Sequence, residues 1–316
     1  MIKVGYLLPT RESIIIDQPG TARLLSLAEQ AERLGYDSVW VGDSLLARTR
    51  HEPLTLLAAV AARTERVELG TAVLLPALRN PVVLAHLVAT VDRLAEGRLI
   101  LGVGIAGDTS TIRAEFAAAG VPFEQRVGRF VHGLELCRRL WSGEPVHWEG
   151  PYWTLTGQSL QPTPHRAGGP PLWLGGSATA TLRRAGHRYD GWFPAGGQVD
   201  GFVTGLAAVQ AAATETGRDP STLSAATYVT LSVHDDKATA DATLDQFLSS
   251  YYAPAPPVAL RRTFSYYAGP FDGAVEYLAA FAEAGAQHFC LRFCGDHEEN
   301  LKRFAGVASQ LGAGKG

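Results

Sequence analysis

A glycine-rich turn near the middle of the chain has the residues to bind an anion. The stretch PPLWLGGSATATLRRAGHRYDGWFP, residues 170–194, predicts a strand, a turn, a helix and a second strand. Gly175, Gly176 and Ser177 fall just before the helix, where backbone N–H groups can meet an anion. The turn has neither the Gly-Lys-Ser/Thr of a P-loop nor a G-x-G-x-x-G pattern. The sequence therefore predicts an anion site of another kind, or only a tight strand-to-helix turn.

Few titratable side chains fall at the ends of the other predicted strands. Glu12 and Asp43 follow the first two strands, and His51 lies slightly further along the chain. Their positions give all three a possible role in a site. Asp43 could instead cap a helix or form an ion pair, and His51 could instead help to cap the helix that follows it. Arg11 and Arg292 are either rim charges or contacts to an acidic group. With so small an acid–base inventory, an enzyme built this way would depend on a cofactor for its chemistry.

The motifs that the sequence lacks exclude several other chemistries. No H-x-H pattern, zinc-type Cys/His spacing or strand-end lysine occurs, which disfavours metal hydrolysis and Schiff-base catalysis. No pair of carboxylates falls in a motif typical of a glycosidase. We therefore predict no metal site.

Strand-like apolar runs alternate with helical patterns along the whole chain. Nearly continuous apolar strands indicate a parallel sheet that is buried on both faces. Eight such units predict a (β/α)8 TIM barrel, and a doubly wound open sheet is the alternative. Asn80 followed by Pro81 predicts the start of the helix after the third strand. The predicted strands are 3–9, 37–43, 67–76, 99–104, 171–176, 189–194, 223–233 and 286–293.

Two stretches interrupt this alternation. Residues 146–171, before the fifth strand, predict a short hairpin and a crossing loop rich in proline and glycine. Residues 249–273 predict an insertion before the helix 274–285, which leads to the eighth strand. Because barrel strands continue on both sides of each stretch, we interpret residues 1–316 as a single barrel domain.

Composition limits the partners and the compartment. The 316 residues are 46% hydrophobic and 19% charged, and their net charge of −3 argues against nucleic acid or an anionic membrane as a partner. No apolar run is long enough for a membrane span, and the N-terminal segment is interrupted by Pro9 and Arg11. The three cysteines, Cys137, Cys290 and Cys294, predict buried free thiols in a reducing, cytoplasmic protein.

Four segments in the same order and spacing resemble the luciferase-like monooxygenase superfamily of flavin- and deazaflavin-dependent oxidoreductases. They are LAEQAERLGYDSVWVGD, the stretch from PLTLLAAVAARTERVELGTAV to RLILGVG, LWSGEPVHWEGPYW and PLWLGGSATATLRRAGHRYDGWFP. The resemblance covers nearly the whole chain. It implies a luciferase-like (β/α)8 barrel with a flavin-type ring at its mouth and chemistry by hydride transfer or oxygen activation.

The resemblance also implies roles for individual residues. A bulge on the third strand, with a non-prolyl cis peptide at Ala72–Val73, would support the cofactor ring. Asp43 would lie near the ring, and the anion at Gly175–Ser177 would be the cofactor phosphate. The full set of cofactor-binding residues predicted is Asp43, Thr71, Ala72, Val73, Gly104, Ala106, Gly107, Gly175, Gly176, Ser177 and Pro194.

The segment GVGIAGDTSTIRAEFAAAGVPFEQR resembles members that use coenzyme F420 more than those that use FMN. The F420-using sugar-phosphate dehydrogenases have a histidine after the second-strand aspartate and a glutamate after the fourth strand. Here those places hold Ser44 and either Gly107 or Asp108, so the catalytic acid of those enzymes does not carry over.

The predicted function is F420-dependent hydride transfer to or from a small organic substrate. An FMN-dependent monooxygenase and a catalytically silent flavin-binding barrel are the alternatives. The catalytic candidates are Glu12, Asp43 and His51, with Glu12 and His51 on the substrate side. A homodimer is an assembly that the sequence leaves open.

Overall fold

The computed structural model describes residues 1–18, 20–194 and 196–313. Its strands are β1 Lys3–Leu7, β2 Ser38–Val41, β3 Glu68–Thr71, β4 Leu99–Val103, β5 Val146–Glu149, β6 Thr154–Gln158, β7 Leu172–Leu174, β8 Gly191–Trp192, β9 Ser224–Val233, β10 Tyr266–Gly269 and β11 His288–Phe293. The helices are α1 Glu12–Ile15, α2 Thr21–Arg33, α3 Pro53–Ala61, α4 Pro81–Leu94, α5 Ser110–Ala118, α6 Arg126–Leu140, α7 Thr179–Arg188, α8 Val199–Glu215, α9 Lys237–Tyr252, α10 Pro257–Arg261, α11 Phe271–Glu283, α12 His297–Arg303 and α13 Val307–Ala313. Short 3-10 helices lie at Pro76–Leu78, Phe123–Gln125 and Pro220–Thr222.

The fold class is the predicted (β/α)8 barrel, whose strands are parallel and return through helices. By residue contacts the chain divides into two compact units, which we call unit 1 (Met1–Trp40 with Leu172–Gly316) and unit 2 (Val41–Pro171). The interpretation of the chain as one domain stays a prediction.

Unit 1 contains a continuous series of parallel strands. β7 pairs with β8, β8 with β9, β9 with β11, β11 with β1, and β1 with β2. β11 is buried along its whole length, and β9 along all but its two end residues, as expected for strands covered on both faces. Buried aromatic rings pack together in this unit: the Trp40 ring centroid lies 5.5 Å from that of Trp173 and 5.0 Å from that of Phe193.

Unit 2 contains the β3–β4 pair and the antiparallel hairpin of β5 and β6, which confirms the hairpin predicted at the start of 146–171. The prediction for α4 is also confirmed. Asn80 caps the helix by accepting hydrogen bonds from Val82 N at 2.9 Å and Val83 N at 3.4 Å, and Pro81 is its first residue. A side-chain acceptor at this position satisfies N–H groups that have no partner inside the helix.

Besides the eight predicted barrel strands, the structure has one further parallel strand that the sequence did not predict. The segment 249–273 is not only an insertion, because its β10 pairs with β9 from Tyr266↔Thr230 to Gly269↔Val233. β9 is ten residues long and so has room for β10 beside β11. The barrel strands are also shorter than most of the predicted runs, because the residues at the run ends belong to turns. The three cysteines are buried and free, as predicted.

Candidate active site

The end of β3 carries an unusual backbone in unit 2. The peptide bond between Ala72 and Val73 is cis and does not involve proline, as the resemblance implies. Thr71, the last residue of β3, is fully buried and donates its hydroxyl hydrogen to Gly102 O at 2.7 Å. The chain then returns to the sheet at Leu74, which forms a parallel bridge with Val103. Both ends of the cis peptide are therefore attached to β4.

A glycine on β4's carboxyl side makes room for the side chain of Val73. A β-carbon at Gly104 would lie 2.6 Å from Val73 Cγ2, a distance that side chains essentially never reach. Gly104 N also donates to Leu74 O at 2.9 Å. Gly104 thus contributes to the site through its missing side chain, which leaves room for Val73.

Asp43 binds the segment that follows the cis peptide. Its carboxylate accepts hydrogen bonds from Leu75 N at 2.9 Å and from Arg79 at 2.6 and 3.1 Å. The Asp43 side chain is only 1% exposed, so the exposed part of this residue is its backbone. The ion-pair alternative for Asp43 is therefore present, and its predicted contact with a cofactor stays a prediction.

Arg79 joins Asp43 to the start of α3. Arg79 Nη2 donates to Glu52 Oε1 at 3.0 Å. Glu52 in turn caps α3 by accepting from Thr55 N at 2.7 Å. Burial alone would lower the pKa of Arg79, but hydrogen bonds and charge from the two carboxylates outweigh burial and raise it. Burial likewise opposes the charge on Glu52, yet hydrogen bonds from Thr55 and Arg79 hold its pKa below the ordinary value. His51 directly precedes this cap.

A second buried carboxylate orders the loop after β2. Glu115 of α5 is 1% exposed, and its Oε1 accepts from Ser44 Oγ at 2.7 Å, Leu46 N at 2.7 Å and Ala47 N at 3.1 Å. Ser44 Oγ in turn accepts from Arg48 N at 2.8 Å. The hydroxyl proton of Ser44 is therefore committed to Glu115.

The segment after β4 is more open. Ala106 is half-buried, its carbonyl accepting from Arg126 Nε at 3.3 Å, and Gly107 is exposed with open space where a β-carbon would lie. Asp108 forms a bidentate pair with Arg113 at 2.7 and 2.8 Å, on the surface. The open side of Gly107 leaves its backbone accessible to a ligand.

In unit 1, the predicted anion-binding turn is an uncapped helix start. α7 begins at Thr179, and its N-cap residue, Ala178, has no side chain that could accept a hydrogen bond. The first N–H groups of a helix have no acceptor within it, and the residues from Gly176 to Ala180 are exposed. Gly176 has φ +113°, a conformation that other residues rarely adopt. Its carbonyl accepts from Trp192 Nε1 at 2.8 Å, which fixes the turn against β8.

The remaining predicted residues of unit 1 lie near other strand ends. Pro194 is buried after β8, and its carbonyl accepts from Tyr228 N at 3.3 Å. Glu12 is half-buried and is the first residue of α1. It interacts electrostatically with Arg292 of β11.

Arg292 is a buried cation among hydroxyls and rings. It is 1% exposed, so of the two alternatives for this residue the rim charge is wrong, and the contact with an acidic substrate or cofactor group stays a prediction. Its guanidinium donates to Thr230 Oγ1 at 2.7 and 3.1 Å and to Tyr252 OH at 2.9 Å, and it lies 4.9 Å from the ring of Tyr251. Burial works to lower its pKa, but interactions with the surrounding tyrosines outweigh burial and raise it.

Within unit 2 the structure brings together Asp43, the Thr71–Val73 segment and Gly104, while Ala106 and Gly107 continue from the same strand end. Within unit 1 it joins Gly175–Ser177 to β8. The sequence did not predict two residues that hold the segments around the site in place, Arg79 and Glu115. The sequence could have pointed to Arg79, because no other arginine, lysine or carboxylate lies between Glu68 and Asp92. Nothing in the sequence pointed to Glu115, since a glutamate in a surface-type helix is ordinarily exposed.

Two kinds of feature are absent from the described ranges (1–18, 20–194 and 196–313). There, no cluster of three histidine, cysteine or carboxylate side chains is arranged to hold a metal ion. The helices of the same ranges do not combine the length and apolar character needed to cross a bilayer.

Comparison with known proteins identifies the family. The family described as luciferase-like monooxygenase matches residues 2–314. An F420-dependent glucose-6-phosphate dehydrogenase from Nocardia farcinica is 36% identical over 188 residues, which is 58% of this chain and 55% of that protein. The chain thus spans little more than half the length of the first curated relatives it matches.

Solved structures share the fold at lower identity. An F420-dependent secondary alcohol dehydrogenase, in complex with an F420–acetone adduct, aligns with a TM-score of 0.81 and 22% identity over 97% of this chain and 98% of that one. The oxygenating constituent of 3,6-diketocamphane monooxygenase from Pseudomonas putida, in complex with FMN, aligns with a TM-score of 0.76 and 18% identity over 98% of each chain. With a family match over almost its entire length, the chain belongs to the luciferase-like monooxygenase family.

Proposed function

We propose that this chain is an oxidoreductase that uses coenzyme F420 to move a hydride to or from a small organic substrate. The observation that carries the proposal is the exposed, uncapped start of α7 after Gly176. Such a helix start presents N–H groups and a partial positive charge to a phosphate. Flavin-type cofactors carry a phosphate, and relatives 32–36% identical to the chain are named F420-dependent.

The residues of unit 2 fit a flat ring bound against backbone. The open side of Gly107 and the partly exposed Ala72 and Val73 offer surface at strand ends. Asp43 and Arg79 hold the segment just beyond that surface, which keeps it in one conformation. Rigid support of this kind reduces the ordering that a ligand must impose on binding.

When bound, the cofactor supplies the redox chemistry, and the protein positions the reactants and handles protons. We propose Glu12 and His51 as the side chains that hold or deliver a proton on the substrate side. In this proposal, Asp43 supports cofactor binding through Leu75 and Arg79 rather than by proton transfer. Ser44 is not a proton donor here, because its hydroxyl is committed to Glu115 at 2.7 Å.

Equilibrium titration of the purified chain with F420 and with FMN tests the proposal. We expect F420 to bind at least about tenfold more tightly than FMN, a difference of about 1.4 kcal/mol. Addition of substrate should then change the cofactor's redox state in equal stoichiometry with product. Preferential binding of FMN with oxygen consumption would favour a monooxygenase instead. Binding without turnover across alcohols, ketones and sugar phosphates would favour a silent barrel.

A further inference from the structure

Unit 1 contains a cavity that the proposed cofactor contacts do not use. Its volume is about 340 Å³, at the lower end of the range for small-molecule pockets. It lies between α1, α2, α9 and the end of β11. The apolar part of its wall comes from all four of these elements: Ile15, Ile16, Leu24, Phe247, Tyr251 and Phe293.

The apolar wall is both preformed and accessible. The rings of Phe247 and Tyr251 stack with their centroids 5.2 Å apart, which holds one side of the cavity. Ile15 and Ile16, which also line the cavity, are 40% and 53% exposed. A ligand that covers these side chains removes apolar surface from water, and this transfer is favourable in proportion to the area buried.

The polar groups of the cavity carry little net charge. Arg23 is the only arginine or lysine among the described residues that line it, and this side chain is 48% exposed and 4.0 Å from Glu298. His297 forms a hydrogen bond with Tyr6 through Nδ1 at 2.8 Å, and burial lowers its pKa to about 4. Its imidazole is therefore neutral at neutral pH. Glu12 is the carboxylate in the lining.

This balance disfavours an anion. A phosphate group would lose its hydration among apolar side chains, beside a carboxylate and with a single cation already facing another glutamate. A neutral molecule has no such cost. A hydroxyl group on it can donate to the Glu12 carboxylate, which offers several acceptor positions.

We propose that this cavity binds an uncharged, largely apolar organic molecule with a hydroxyl group. That this molecule is the substrate rests on the proposed function, whereas binding itself needs no cofactor. The inference separates the chain from relatives that are named for a sugar phosphate. In this proposal, the part of the cavity wall formed by α1 and α9 determines which molecules bind.

Ligand-observed NMR on the purified full chain, without cofactor, tests the proposal. The neutral probes are benzyl alcohol and cyclohexanol, and the anionic probe is glucose 6-phosphate. We expect saturable binding of a neutral probe and none of glucose 6-phosphate. Ser250→Trp places a large ring in the cavity and should weaken probe binding at least about tenfold. Ser249→Trp, an exposed neighbour on α9 outside the cavity, should change it less than about twofold.

The outcomes are distinct from those of the cofactor titration. Absence of neutral-probe binding, equal loss in both tryptophan variants, or preferential binding of glucose 6-phosphate would each overturn the inference. Failure of F420 to bind would refute the proposed function. The probe measurements would still decide whether the cavity binds neutral molecules. Thermal denaturation of each variant establishes that a lost signal comes from a folded protein.

Discussion

Replacing Arg79 by methionine should leave a buried carboxylate without its cation. The Asp43 and Arg79 side chains are 1% and 12% exposed and share two hydrogen bonds, at 2.6 and 3.1 Å. Removing one partner of a buried pair costs about 3–5 kcal/mol, because the other charge remains desolvated. Since Arg79 keeps slight exposure, we expect a loss near the lower limit, about 3 kcal/mol, in the free energy of unfolding.

The partner substitution should cost less. Asp43→Asn keeps an acceptor for Leu75 N, and it leaves Arg79 paired with Glu52 at 3.0 Å. We expect a loss of about 1–2 kcal/mol, the cost typical of a weakened charged hydrogen bond. The double variant, Asp43→Asn with Arg79→Met, should be more stable than Arg79→Met alone, because no unpaired charge stays buried at Asp43.

Urea denaturation of the four proteins at neutral pH measures the three differences and their coupling. Arg113→Met is the matched control, since Arg113 makes a similar bidentate pair with Asp108, at 2.7 and 2.8 Å, but both side chains are about half exposed. Its loss of unfolding free energy should be much smaller than that of Arg79→Met, because solvent screens an exposed ion pair. The reasoning fails if Arg79→Met costs no more than Arg113→Met, or if the two changes at the buried pair are simply additive. Cofactor titration of the folded variants should show weaker binding in Arg79→Met.

Three further predictions concern the turn, the core and the proton. Gly176→Val should weaken cofactor binding about tenfold or more, while Gly217→Val, which also places a side chain at positive φ but in open space, should leave affinity unchanged in the same titration. Burial lowers the pKa of His288 to about 3, so its contribution to stability is complete above about pH 6.5 and is lost as the pH falls toward 3. Between pH 6 and 4, His288→Asn should therefore flatten the dependence of unfolding free energy on pH by about 1.4 kcal/mol per unit, and an unchanged slope in denaturation experiments would contradict this. Glu12→Gln and His51→Ala should each slow single-turnover oxidation or reduction of the cofactor by about 100-fold or more with its affinity intact, and wild-type rates in both would remove them from the mechanism.

Local signals in the sequence were enough to predict most of the regular elements. Asn80 and Pro81 marked the start of α4 because an N-cap and a first-turn proline act through their own backbone. β10 was missed for the opposite reason. The run Tyr266–Gly269 is short and lies close to proline-rich turns, and its strand conformation depends on pairing with β9, which lies more than thirty residues earlier in the chain.

The candidate site also has one feature that the sequence predicted and others that it did not. The cis peptide at Ala72–Val73 was predicted from resemblance, because a whole segment of the chain carries the pattern. The partner of Asp43 was not predicted, since a sequence shows a carboxylate but not which guanidinium reaches it. Glu115 is the stronger example. Its role depends on a contact with Ser44 across 71 positions of the chain, which no periodicity indicates.

The contact between Glu115 and the loop after β2 sets a rule for engineering. One carboxylate oxygen, supplied by α5, accepts three hydrogen bonds from residues 44–47, so the loop does not contain all the information for its own shape. A graft of a relative's loop into this chain must therefore bring the matching residue of α5 with it. The loop and the helix form a single exchangeable module, although they are far apart in the sequence.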